Sequence, residues 1–290
     1  LRMMLITGNA PGNDMRFYYE KVESARNFAN KIWNAARLIM MNIGESKPEA
    51  IDGSKLMLSD KWILSKTNKL INEVSINLDK FELGIALSKI YDFAWEEFCD
   101  WYIEMVKLRL WNNEDDTKDT ALAVLIYVLN TILKLLHPFM PFITEEIYCT
   151  VNEDVKTIMI EPWPVENPEY NFLDDENKAE LIKEAVRAVR NVRSSMNVPP
   201  SHKASCIVAS EDNVIRSTFE SAGDFLKQLA GLDKLTIFSE YIDENRFYPR
   251  ITDFTRTSQP FINFLMNDIL VEEKSPCPCG LIFTRIKKIE

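Results

Sequence analysis

A chain of 290 residues and 33.6 kDa exceeds what one small core organises, and the length suggests two domains. With 46% hydrophobic and 27% charged residues, the composition is that of a globular chain and excludes wholesale disorder. A net charge of −10 and a pI of 5.0 exclude a wholly basic nucleic-acid-binding domain, though not a local basic patch.

Eight scattered glycines leave no Gly-rich phosphate loop, and the wealth of Leu, Ile, Lys and Glu leans towards helix. The first residues, from Leu1, show no signal-peptide pattern, and no uninterrupted apolar run reaches the length of about 18 residues that a membrane span needs. Five cysteines is a low, odd count. Cys99, Cys149 and Cys206 stand singly in apolar or helical surroundings, as reduced thiols of a cytosolic protein do.

In chain order, residues 8–14 (GNAPGND) form a turn-rich loop, and a helix is predicted from Met15 to Met41. Around its wheel Arg26, Asn27, Asn30, Lys31, Asn34 and Arg37 occupy an arc of about 140°. Val22, Ala25, Phe28, Ala29, Ile32, Ala35, Ala36 and Ile39 fill the opposite arc, so the helix is amphipathic with a basic, Asn-rich outer face. Residues 42–58 read as a loop. A second helix starts near Ser59 and Asp60, with Trp62, Ile63, Leu70, Val74 and Leu78 at helical spacing. A long third helix is predicted over Phe81–Trp111, and a fourth over Lys118–His137 that Pro138 and Pro141 end. A short helical turn follows over Ile143–Val151. Long helices joined by short polar turns predict a mainly α fold, an antiparallel helical bundle.

After the bundle, Thr157–Pro164 reads as extended, and Pro162, Pro164 and Pro168 mark a linker. A helix over Glu176–Met196, a strand over Ala204–Ala209, a helix over Thr218–Leu229 and a strand over Lys234–Phe238 predict a small α+β module. The domain reading is therefore a bundle over 15–155, a linker over 156–176 and the module over 177–240. Residues 241–290 carry weak periodicity and no clear element.

No catalytic constellation emerges. His137 closes an apolar helix end, where a structural role and the helix dipole account for it. His202 sits in a polar turn, and neither histidine has a nucleophile beside it in the sequence. Cys277 and Cys279 make a CxC pair without the second ligand pair that zinc needs, so no metal is expected. Asp115–Asp116 and Asp174–Glu176 lie in loops, as solvated acids do.

Two cationic stripes remain. The first is Arg26, Lys31 and Arg37 with Asn27 and Asn34 interleaved; the second is Lys183, Arg187 and Arg190 at i, i+4 and i+7. Lys and Arg hold phosphates, and Asn reads base edges or sugar hydroxyls. Solvated helix faces produce the same charge pattern, and Glu20 and Glu23 dilute the first stripe. Phe93, Trp95, Phe98, Trp101, Tyr102 and Trp111 fit either base stacking or bundle packing.

Several stretches resemble one family. Thr7–Asp14 (TGNAPGND), Ala25–Arg37 (ARNFANKIWNAAR), Phe98–Glu104 (FCDWYIE), Leu135–Glu146 (LLHPFMPFITEE), Arg187–Arg193 and Met196–Pro200 are similar to valyl-tRNA synthetases, over residues 1–210 and fading by 238. LLHPFMPFITEE is shared with the isoleucyl and leucyl relatives, whereas TGNAPGND and FCDWYIE point to the valyl member.

The resemblance implies a class I aminoacyl-tRNA synthetase, which joins valine to its tRNA with ATP. It implies that residues 1–14 end the segment leading from the catalytic core, that 15–155 bind the anticodon and that valine tRNA is the partner, through its anticodon arm. It also implies a cytoplasmic monomer that meets no membrane. The family's His-Ile-Gly-His and Lys-Met-Ser-Lys-Ser types of ATP signature are absent from these residues, as is the editing insertion. The chain alone is therefore expected to bind no cofactor and to be inactive. Residues 281–290 are compatible with the first turn of the family's C-terminal arm, while 240–280 do not read like the family. The alternative is a helical protein-interaction scaffold with no RNA role.

Overall fold

In a computed structural model of the chain, the described residues are 1–7, 17–43, 48, 50–112, 114–199 and 201–239. Beyond 239 only the backbone of four short strands is described. The chain divides into two compact units, Leu1–Glu176 and Asn177–Glu290.

The first unit is helical. A short helix α1 (Arg2–Ile6) precedes α2 (Tyr19–Asn42), α3 (Leu58–Asp79), α4 (Leu83–Asp92), a π-helix (Phe93–Tyr102), α5 (Ile103–Trp111), α6 (Lys118–Leu136) and α7 (Pro141–Val151). The predicted helix over 15–41 is α2, which begins at Tyr19. The apolar arc predicted for it faces inward: Ala25, Phe28, Ile32, Ala35, Ala36 and Ile39 are buried. The centre of the unit is α6. It packs against α2, α3, α4, α5 and α7, and nearly all its side chains from Thr120 to Leu136 are buried. That explains why this helix is apolar on every face. By length and composition it is apolar enough to cross a membrane, but 78% of that stretch is buried inside the bundle.

The single helix predicted over Phe81–Trp111 needs correction. Phe81 takes a left-handed backbone (φ 60°) that turns α3 into α4, and the middle third winds as a π-helix. A buried carboxylate holds the far end of this segment. Asp60, at the start of α3, accepts hydrogen bonds from the Tyr102 hydroxyl at 2.8 Å, from the Arg109 Nη1 on both of its oxygens at 2.8 Å and from the Met57 amide at 2.9 Å. Arg109 also donates to the Thr117 hydroxyl and carbonyl at 2.9 Å, so one ion pair ties the starts of α3 and α6 to α5. With every lone pair answered, the buried charge is tolerated; losing either partner would leave the other stranded. Burial, then the neighbouring Asp60, pushes the Tyr102 phenol far above its ordinary range.

The stretch predicted as extended, 157–164, contains a single 3₁₀ turn, Ile158–Ile160, opened by the Thr157 hydroxyl accepting from the Met159 amide at 3.2 Å. The prolines then lead to Asn167, which exchanges two hydrogen bonds with the Asn68 side chain of α3, at 2.6 and 3.1 Å.

Helix α8 (Leu173–Ser195) runs from one unit into the next. Its first turn is fixed within the first unit: Glu176 meets Ser65 at 2.9 Å and Lys69 at 2.7 Å, and Asp175 meets Lys61 at 3.6 Å. In the second unit β1 (Ala204–Ala209) pairs in parallel with β2 (Leu232–Phe238), and the connection carries α9 (Asn213–Ser221) and α10 (Gly223–Ala230). The one helix predicted over 218–229 is thus two. Arg193, buried in α8, donates to the carbonyls of Pro199, His202 and Gly231 and so gathers the turn after α8 beneath the start of β2. Gly231 has φ 67°, which favours glycine, and a Cβ there would crowd the Arg193 guanidinium at 3.3 Å. Strands β3 (Arg246–Phe247), β4 (Ile262–Leu265), β5 (Leu270–Glu273) and β6 (Arg285–Ile289) complete a β2-β1-β4 sheet and a β3-β5-β6 sheet, where the sequence shows no clear element.

Candidate nucleic-acid interface

The outer face of α2 carries the first stripe. Arg26, Asn27, Asn30, Asn34 and Arg37 are all exposed. Asn27, Asn30, Asn34 and Arg37 make no side-chain hydrogen bond or ion pair among the described residues. Arg26 stands 3.6 Å from Glu23, an i, i+3 pair in which both side chains remain largely in water, so the guanidinium is weakly engaged. A residue that the helical wheel reading left out joins them. Trp33 falls about 20° from Arg26 on the wheel, on the side away from Arg37, and is 41% exposed. Of its neighbours on the helix face, Ala29, Asn30 and Ala36 are short, and Arg37 at i+4 is the one long side chain.

Lys31 departs from the expectation. Its ammonium lies 2.6 Å from the Asp100 carboxylate and 3.7 Å from the centre of the Trp95 ring, both on the π-helix. It sits on the flank of α2, turned towards the bundle, and its charge is already answered. As a free phosphate contact Lys31 is therefore corrected to an internal one.

The second stripe also splits. Arg187 and Arg190 are exposed, and the Arg190 Nε donates to the Leu229 carbonyl at 2.9 Å. Lys183 is wholly buried and its ammonium is 3.2 Å from Glu180. The spacing i, i+4, i+7 places three cations near one line, but that line is covered at Lys183 and open at Arg187 and Arg190. Lys183 is corrected to a buried, paired residue.

Of the aromatics between 93 and 111, Phe93, Phe98, Trp101 and Tyr102 are buried and Trp95 is half-buried beneath Lys31. Trp111 alone among them is well exposed, at the end of α5. Bundle packing accounts for the rest.

Other chemistry is absent among the described residues, where no group of three or more His, Cys, Asp or Glu is placed to hold a metal. Cys277, Cys279 and the GNAPGND loop lie outside the described residues. Burial pushes the Cys99 and Cys206 thiols up to about 12, which makes them poor nucleophiles. The His137 Nδ1 meets the Thr144 hydroxyl at 2.7 Å; that hydroxyl donates to the Met140 carbonyl at 2.9 Å, so the histidine cements the α6–α7 corner.

The first unit is thus a helical bundle whose α2 presents an open Arg/Asn face with one exposed indole. Residues 60–208 match the family described as the anticodon-binding domain of tRNA ligase, and the chain belongs to that family. Its similar proteins narrow the class. Valine–tRNA ligase of Clostridium perfringens is 48% identical over 248 residues, covering 84% of this chain and 28% of the relative. That of Clostridium tetani is 48% identical over 236 residues (81% and 27%), and that of Clostridium acetobutylicum 49% over 231 residues (79% and 26%). The chain thus spans little more than a quarter of the length of these relatives. A solved complex, Agrobacterium radiobacter K84 agnB2 LeuRS-tRNA-LeuAMS, covers 72% of this chain and 21% of its own, with a TM-score of 0.45 and 14% identity. The scaffold alternative finds no support in this set.

Proposed function

We propose that this chain is the anticodon-reading part of a valine–tRNA ligase and that α2 supplies its recognition face for the anticodon arm of valine tRNA. The observation that carries the reading is the face of α2, where Arg26 and Arg37 flank Asn27, Asn30, Trp33 and Asn34, all open to solvent. Each residue type has a task there. The guanidiniums fork onto phosphates, the indole stacks an unpaired base, and the carboxamides read donor and acceptor edges or the 2′-hydroxyl. Arg187 and Arg190 on α8 add a weaker second contact. The ATP-dependent joining of valine belongs, in this reading, to the longer ligase, a cytoplasmic monomer. The chain alone is expected to catalyse no valine-dependent pyrophosphate exchange and to need neither ATP nor metal.

Titrating the chain against valine tRNA transcripts, with and without anticodon substitutions, at two salt concentrations tests this. The body carries −10, which opposes long-range steering of a polyanion. Few cations face outward to counter it. We expect dissociation constants of about 1 μM or weaker near physiological salt, with modest anticodon preference. Equal binding to every transcript would remove the anticodon from the reading. Nanomolar binding at 150 mM salt, a concentration of about the physiological ionic strength, would place the main RNA surface elsewhere.

A further inference from the structure

The π-helix is the least ordinary element of the bundle, and it touches α2. In an α-helix, residues five apart stand roughly 140° apart around the axis. The i→i+5 winding of a π-helix brings them onto one side. Trp95 and Asp100 are five apart, and both meet the same partner, the Lys31 ammonium, at 3.7 Å from the ring centre and 2.6 Å from the carboxylate. Trp95 is itself stacked on Tyr91 (centres 5.6 Å, planes 17° apart), and Phe28 of α2 lies against both rings at 4.6 and 6.5 Å. Cation, indole, phenol and phenyl thus form one column between α2 and the α4–π-helix segment.

The position of this column on α2 matters. Ala25, Ala35 and Ala36 make much of the buried stripe of α2, and small side chains let a helix roll on its neighbours. Lys31 stands at the edge of that stripe, between the buried face and the open one. A grip there fixes rotation about the helix axis. A roll of about 20° would carry side-chain tips, at a radius of about 5–6 Å, sideways by about 2 Å. Displacements of that size defeat hydrogen-bond readout.

We propose that Lys31, Trp95 and Asp100 are positioning residues, a clamp built by the π-helix that sets the rotation of α2 and hence the register in which Asn30, Trp33 and Asn34 meet bases. The proposal rests on the RNA-binding reading of α2 and assigns these three residues no RNA contact of their own. The clamp acts on discrimination between sequences more than on affinity, because the flexible guanidiniums of Arg26 and Arg37 can follow a phosphate through a small roll.

The test uses Asp100→Asn, Lys31→Met and Lys31→Arg in the whole chain, with unfolding curves to show that each is folded. The readouts are the affinity ratio between a valine tRNA transcript and the same transcript with one anticodon base changed, and the salt slope. Asp100→Asn is decisive, since removing an acid near RNA would by electrostatics alone strengthen binding and leave the ratio unchanged. We expect Asp100→Asn and Lys31→Met each to lower the ratio about fivefold, the order of an exposed ion pair plus a cation–π contact, without changing the salt slope. Lys31→Arg, which keeps charge, stem and ring contact, should restore the ratio. A ratio unchanged in Asp100→Asn overturns the clamp. So does a salt slope that falls by about one in Lys31→Met, which would make Lys31 a phosphate contact. A parent chain without anticodon preference has no register to set, and that too overturns it. The parent reading fails separately, if Arg26→Ala and Arg37→Ala leave the salt slope untouched.

Discussion

Two helices of this chain carry nearly the same cationic word, and the fold treats them oppositely. On α2, Arg26 and Arg37 stay in water with three asparagines and an indole between them; on α8, Lys183 is buried on Glu180, Arg190 is tied to a backbone carbonyl, and Arg187 faces out. The difference lies in what opposes each charge. Among the described residues, the one ion pair made by Arg26 or Arg37 is that of Arg26 with Glu23, an exposed neighbour on the same helix, so their field is available to a ligand. The buried cation of α8 has exchanged its hydration for a carboxylate, and such a pair acts within the protein. A stripe of charge is a binding surface only where the fold leaves it unanswered.

The sharpest way to break this contrast is Lys183→Glu. It sets two carboxylates against each other at a position without solvent, where losing a buried partner costs about 3–5 kcal/mol. Urea unfolding should show a loss of at least about 3 kcal/mol, whereas Arg187→Glu should stay within about 0.5 kcal/mol, as exposed substitutions do. A loss below about 1 kcal/mol for Lys183→Glu would mean that water reaches this lysine, and the stripe would regain its third cation.

On the α2 side the largest effect belongs to Trp33. Replacing it with alanine removes a stacking platform worth roughly 1–3 kcal/mol per base, so binding of the valine tRNA transcript should weaken about tenfold or more. Stability should fall as well, because more than half of the residue is covered, so urea unfolding has to show that the variant is folded. Unchanged RNA affinity in a folded Trp33→Ala chain would reduce the face to phosphate contacts alone. Arg26→Ala and Arg37→Ala come next: each should lower the slope of log affinity against log salt by about 0.7–0.9, the share of one phosphate. Arg37, without a side-chain partner among the described residues, should show the larger affinity loss, and Arg26 the smaller because its guanidinium has to leave Glu23 to meet a phosphate.

Much of this contrast could be read from the sequence. Apolar periodicity located α2, α3 and α6, and the amphipathic wheel of α2 put Arg26, Asn27, Asn34 and Arg37 on its open side. Three features could not be read, each for a physical reason. Helical periodicity tells which residues share a face but not how far along the helix that face is covered; on α8 Lys183 lies between Arg187 and Arg190 on the wheel, yet it is buried while they are exposed. Aromatic density is the same signal whether a ring packs or stacks. It drew attention to the rings between 93 and 111, most of them buried, and away from Trp33, whose polar neighbours at i−3, i+1 and i+4 were the available clue. The π winding of 93–102 leaves no compositional mark, since Trp95 and Asp100 show their shared face only once Lys31 is seen between them.

The smallest expected effect tests the comparison most finely. Arg187→Ala and Arg190→Ala both remove an exposed cation from α8, yet they should differ. Arg187 is exposed, so its loss should weaken RNA binding only slightly and change unfolding by no more than about 0.5 kcal/mol. Arg190 donates from Nε to the Leu229 carbonyl, just before the Gly231 turn into β2, at 2.9 Å. Truncating it leaves that carbonyl to water and should lower stability by about 1 kcal/mol, the ordinary net worth of such a bond. Arg190 is exposed although its Nε is engaged, so a role towards RNA and a role in the fold can be tested separately. Arg190→Lys separates these uses: it keeps the charge and loses the Nε donor. If Arg190 serves RNA, the lysine variant should hold the salt slope of the parent chain while unfolding at lower urea. If it serves only the fold, both variants should unfold early with the slope unmoved, and α8 would then contribute to RNA through Arg187 alone.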